Sequence, residues 1–95
     1  MEDRILTLHP AGKQGVNIDR TKYAEVRRAI LSAIRANGEI AFKTLSEEVG
    51  HRLGPNFDGS VGWYTTVVKL DLEARGLIER VPGRGPQRLR LVDDA

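Results

Sequence analysis

Four arginines, Arg80, Arg84, Arg88 and Arg90, stand within residues 80–90, with only Glu79 among them as counter-charge. Guanidinium groups at this density suit phosphate, because each carries a planar fork of donors and stays charged at physiological pH. Arg84 lies between Gly83 and Gly85, where a turn tip would let it reach a phosphate or a minor groove. Arg88 and Arg90 would then touch the backbone alongside. The competing reading is a solvated strand face whose charges keep a sheet edge from pairing. Lys43 is a natural phosphate ligand if it opens a helix, and otherwise a plain surface lysine.

The remaining chemistry-bearing residues assemble into nothing catalytic. Gly12-Lys13-Gln14-Gly15 lacks the spacing of a phosphate loop and is not set between a strand and a helix. Gly59-Ser60-Val61-Gly62 is no nucleophile elbow, since Asp58 stands where the first glycine belongs, and Ser60 reads as a helix cap. His9 and His51 are the two histidines and have no imidazole neighbour at helical spacing; there is no cysteine. Zinc and disulfide chemistry are therefore not expected. A non-enzyme without metal or cofactor is the expectation.

The chain has 95 residues, enough for one core and too few for two. With 40% apolar and 29% charged residues it should fold rather than stay disordered. A net charge of +2 is compatible with a polyanionic partner without requiring one, so the placement of the arginines matters more. No 18-residue apolar run occurs, and Glu2 and Asp3 precede only a short apolar patch. A cytoplasmic protein with no membrane partner is expected.

These residues need elements to hold them. Residues 1–18 form a lead segment: Ile5, Leu6 and Leu8, a turn at His9-Pro10-Ala11-Gly12, then Val16 and Ile18 around Asn17. A first helix runs from about Asp19 or Thr21 to Ala36, with Tyr23, Val26, Ile30, Ala33 and Ile34 on one face and Arg27, Arg28 and Arg35 pointing elsewhere. Asn37-Gly38 stops it. Glu39–Phe42 is a short extended piece, and Thr44-Leu45-Ser46-Glu47 reads as the capping box of a second helix that ends at Gly54-Pro55. A third helix starts after Ser60 and closes at Gly76. Alternation then marks strands over 77–81 and 88–92, with Leu89 and Leu91 on one side and Arg88 and Arg90 on the other. Asp93-Asp94 ends as a solvated tail.

The order of elements and the run Leu72-Glu73-Ala74-Arg75-Gly76-Leu77-Ile78-Glu79-Arg80 resemble the helix-to-wing passage of bacterial winged-helix regulators. The wider chain, with Gly12-Lys-Gln-Gly-Val-Asn-Ile18 and Gly59-Ser-Val-Gly-Trp-Tyr64, resembles a family of small uncharacterised bacterial winged-helix proteins. The resemblance implies a mainly α fold with a small antiparallel β wing: a winged helix-turn-helix over residues 19–95 with an N-terminal extension. It implies no tested activity.

The third helix carries two apolar stripes. Val61, Tyr64, Thr65, Val68 and Leu72 make the expected core stripe; Trp63, Val67, Leu70 and Ala74 make a second, roughly opposite one. Burying such side chains is worth about 1.5–3 kcal/mol each, so a wet second stripe would forfeit much of a domain's stability. Three coverings are open: the lead segment, a second copy of the chain, or DNA touched by Trp63. A base-reading helix normally shows Arg, Lys, Asn, Gln or Ser. This one offers Thr66 and Lys69, then Glu73, which would repel phosphate.

Two functions follow as expectations. The first is duplex DNA binding in transcriptional control, with Lys43, Thr66 and Lys69 at the groove and Arg84, Arg88 and Arg90 on the wing. The alternative is a protein-interaction or homodimerisation module that uses Trp63, Val67 and Leu70.

Overall fold

A computed structural model describes residues 3–92; the acidic pair Asp93-Asp94 lies outside the described residues. Three helices and two small antiparallel sheets make an α+β fold. The longest element is α1 (Arg20–Asn37), and both its ends are chemically set. Asp19 accepts the Lys22 amide at 3.0 Å, and the Gly38 amide closes the last turn on the Ile34 carbonyl at 2.7 Å. Tyr23, Val26, Ile30, Ala33 and Ile34 of α1 are buried, as the helical spacing predicts, and Ala29 is buried with them.

A three-stranded sheet joins β3 (Glu39–Ala41), β4 (Ile78–Arg80) and β5 (Arg88–Leu91) in the order β3-β5-β4. Its inner face carries Ile40, Ile78 and Leu89, all buried against the helices. Pairing Glu39 and Glu79 with Arg90 in register puts the charges on the outer face. These strands are shorter than the alternation predicts, and Leu77 and Val81 fall outside them.

The second helix, α2 (Phe42–Leu53), corrects the sequence reading at its start. It begins two residues before Thr44, so the predicted capping box is not its N-terminus. Ala41 stands at the cap without a side-chain bond, and the Phe42 amide donates to the Gln87 carbonyl at 2.9 Å. Sheet pairing runs directly into the helix and satisfies the end that Thr44 would have capped.

The third helix, α3 (Val61–Ala74), begins as expected, with Ser60 Oγ accepting the Trp63 amide at 3.2 Å. It ends in a glycine cap. Gly76, at φ 77°, donates to Glu73 O at 3.1 Å while Leu77 donates to Leu72 O at 3.0 Å. Paired bonds of this kind need a left-handed residue, which glycine adopts without a Cβ penalty.

Residues 4–19 form a second hairpin of β1 (Arg4–Leu6) and β2 (Asn17–Asp19), with Ile5 opposite Ile18. Beyond the strands, Thr7 donates to Val16 O at 2.9 Å and Thr7 Oγ1 accepts the Val16 amide at 3.0 Å. The approach is so close that a Cβ at Gly15 would lie 1.7 Å from the Thr7 carbonyl oxygen. Thr7, Leu8, Gly15 and Val16 border a small cleft together with Val67 and Leu70 of α3, and the Leu8 amide donates to Asp71 of the same helix at 2.8 Å. The lead segment therefore covers the middle of the second apolar stripe, and Trp63 beyond it remains 46% exposed.

Candidate nucleic-acid interface

Arg84 sits at the tip of the β4–β5 hairpin, exposed and without a hydrogen bond or ion pair among the described residues. Gly83 and Gly85 beside it both have positive φ, 142° and 94°, so the turn bends where a side-chain-bearing residue would be strained. Lys43 lies exposed in the first turn of α2, also unpaired among the described residues. Thr66 is exposed on α3, but its hydroxyl donates to the Gly62 carbonyl at 3.0 Å, leaving its lone pairs outward.

The other arginines of the hairpin are compensated. Arg88 Nε meets Glu39 at 2.7 Å, Arg90 Nε meets Glu79 at 2.6 Å, and Arg80 Nε meets Glu73 at 3.1 Å. The cluster that reads as nearly unopposed in sequence thus faces three carboxylates, two of them drawn from other elements. All three guanidiniums remain about half exposed, so each pair contributes little to stability. Their effect is to cancel charge on the sheet face and leave Arg84 as its uncompensated cation.

Lys69 is not at an exposed groove position. It is 4% exposed, its ammonium pairs with Glu73 at 2.7 Å, and it lies over the Phe42 ring at 5.3 Å from the centroid. Phe42, carried into place by the early start of α2, covers it. Glu73 is correspondingly no phosphate-repelling carboxylate, because Lys69 and Arg80 both neutralise it.

The interaction-face residues also separate. Val67 and Leu70 are half-buried beneath the lead segment, whereas Trp63 packs edge-on against Tyr64, with ring centroids 4.9 Å apart. Leu6 and Leu8 of the lead hairpin are themselves 58% and 44% exposed. The apolar surface has moved outward onto the covering segment without disappearing.

One residue that sequence reasoning passed over organises this side of the molecule. Asp71 of α3 is fully buried and accepts from the Tyr23 hydroxyl, from Arg75 Nε at 2.8 Å and from the Leu8 amide at 2.8 Å. It ties α1, α3 and the lead hairpin together through one carboxylate. Burial first, and then the Asp71 hydrogen bond, raise the Tyr23 hydroxyl above its ordinary value; the Asp71 bond holds Arg75 more firmly protonated. The available signal was a lone aspartate between two apolar stripes, a position that tolerates charge only when it is fully partnered. Arg27, Arg28 and Arg35 of α1, read from sequence only as pointing away from the apolar face, lack ion-pair partners among the described residues.

Fold and site together define a small α+β domain that carries an exposed arginine at a hairpin tip. Among the described residues, no three histidine or carboxylate side chains converge as a metal site would need, and no helix is long and apolar enough to cross a membrane. The chain belongs to a family of unknown function, DUF6958, whose model matches residues 4–89. The match takes in the lead hairpin along with the three helices and most of the larger sheet. Neither a curated protein nor a solved structure matches the chain.

Proposed function

We propose that this protein is a winged-helix, duplex DNA-binding protein acting in transcriptional control, and not an enzyme. The strand order β3-β5-β4, with two helices between the first strand and the hairpin, is the arrangement a winged helix uses. The observation that carries the reading is Arg84: exposed, unpaired and presented by a glycine-flanked turn. Lys43, at the start of α2, supplies a second phosphate contact. Arg88 and Arg90 contribute less than their number implies, since Glu39 and Glu79 already neutralise them. With Lys69 buried, Thr66 is left as the one base-edge candidate from the sequence reading on α3. The affinity is therefore mainly electrostatic and weakly specific.

The test is a salt titration of binding to a mixed-sequence duplex, read by fluorescence anisotropy. Each phosphate contact adds about 0.9 to the log–log slope. Lys43→Ala with Arg84→Ala should therefore remove about 1.8. A double variant with the wild-type slope would end the hairpin reading, and no wild-type binding at about 50 mM salt would end DNA binding altogether.

A second reading keeps one specific observation in its favour. Trp63, Leu6 and Leu8 are all large, apolar and exposed, as surfaces that pair with another protein or a second copy often are. Sedimentation velocity separates the two readings: concentration-dependent association abolished by Trp63→Ser supports the interaction module, and a monomer at all concentrations removes the homodimer.

A further inference from the structure

A second group of uncompensated arginines lies on α1, away from the hairpin. At about 100° per residue, Arg20, Ala24, Arg27, Arg28, Leu31 and Arg35 share an arc of about 100°. The buried residues of α1 occupy the rest of the inward side. Side chains of this stripe, with Tyr23, line a shallow groove of about 470 Å³. No carboxylate lines it, and neither do Lys43, Thr66 and Arg84. Arg20 pairs with Asp3 at 3.0 Å, whereas Arg27, Arg28 and Arg35 have no ion-pair partner among the described residues. Elsewhere most arginines are neutralised: Arg52, Arg75, Arg80, Arg88 and Arg90 each meet an acid, and among the described residues Arg84 at the hairpin tip does not. A row in which three of four arginines meet no acid among the described residues thus sets α1 apart.

We propose that the α1 arginine groove is a binding surface for a nucleic-acid phosphate backbone, separate from the hairpin. From Arg20 to Arg35 the stripe runs about 22 Å along the helix axis. That length matches about six phosphates of one duplex strand. Every cation in it is arginine, whose planar fork binds phosphate oxygens two at a time. Besides the arginines the groove is lined only by Tyr23, Ala24 and Leu31. An extended polyanion of regular charge spacing fits these features better than an acidic protein does. The residues involved are not used by the hairpin reading, so either surface can fail without the other.

The experiment repeats the salt titration in the Lys43→Ala, Arg84→Ala background, which removes the two unpaired cations of the first surface. Adding Arg27→Ala, Arg28→Ala and Arg35→Ala should lower the slope by a further amount of about 2.7, three contacts at about 0.9 each. The corresponding triple lysine variant should keep most of the slope, because the charges remain. Circular dichroism should show the helix intact in both variants, since alanine favours helix. An unchanged slope in the triple alanine variant would overturn the proposal. So would α1-dependent binding of polyglutamate as tight as that of duplex at equal charge concentration, which would assign the groove to an acidic protein instead.

Discussion

Between Leu6 and Asn17 the N-terminal hairpin turns over Pro10 and Gly12, and between Arg80 and Arg88 the C-terminal hairpin turns over Gly83 and Gly85. Each is an antiparallel pair of strands three or four residues long, a size that is not stable alone in water. They gain support differently. The first is fastened by a backbone amide, Leu8, to the buried carboxylate of Asp71 and lies across α3 as a cover. The second is anchored by Leu89 and Ile78 beneath and by the third strand β3 alongside, so its tip is free to project Arg84. A hairpin held through its loop becomes part of the wall. A hairpin held through its base can reach a ligand.

The comparison breaks most severely at Asp71. Asp71→Ala leaves the Tyr23 hydroxyl and the Leu8 amide without their shared acceptor and removes a buried, ion-paired charge. The expected cost is about 1–3 kcal/mol for each buried donor left unsatisfied. Chemical denaturation should show it, with hydrogen exchange accelerating first in residues 4–19 and leaving the C-terminal hairpin protected. Equal acceleration in both hairpins would show that Asp71 supports the whole core and not the cover in particular.

Next in size is Tyr23→Phe, which removes one hydrogen bond to a charged group and should cost about 1.5–3 kcal/mol. It also sharpens the comparison through pH. The Tyr23 hydroxyl titrates above its ordinary value when folded, so the folded state keeps a proton that the unfolded chain loses first. Stability from this group is therefore intact below about pH 10 and declines as pH rises beyond it. Urea midpoints measured from pH 8 to pH 11 should fall more steeply for wild type than for Tyr23→Phe.

Gly15→Ala tests the close backbone approach inside the cover. A methyl group placed 1.7 Å from Thr7 O must displace backbone, and overpacking of this kind costs about 1–3 kcal/mol. Limited proteolysis should then cut within residues 8–15, while circular dichroism of the helices stays unchanged. The smallest effect on stability belongs to Arg84→Ala, within about 0.5 kcal/mol, because nothing in the described fold depends on that side chain. Under the proposed function its expected consequence is confined to DNA affinity. A large loss of stability there would mean that the hairpin tip is a structural contact.

Whereas the Asp19 cap emerged only in the structure, the sequence alone determined the three helices, the Ser60 cap, the glycine stop at Gly76 and the sidedness of the last strand. Each of these depends on neighbours three or four residues away or on simple alternation, so the information is local. Even there, the start of α2 was misplaced, because a sheet bond from Gln87 competes with the capping box. Only the tertiary structure decided which charges are free. Arg88 finds Glu39 49 positions away, Asp71 finds Tyr23 48 away and Leu8 63 away. Lys69 is buried with its ammonium over the ring of Phe42 from another helix. Spacing along the chain tells how a residue is presented by its own element. Whether its charge is left for a ligand depends on what the fold brings opposite it, and that is long-range.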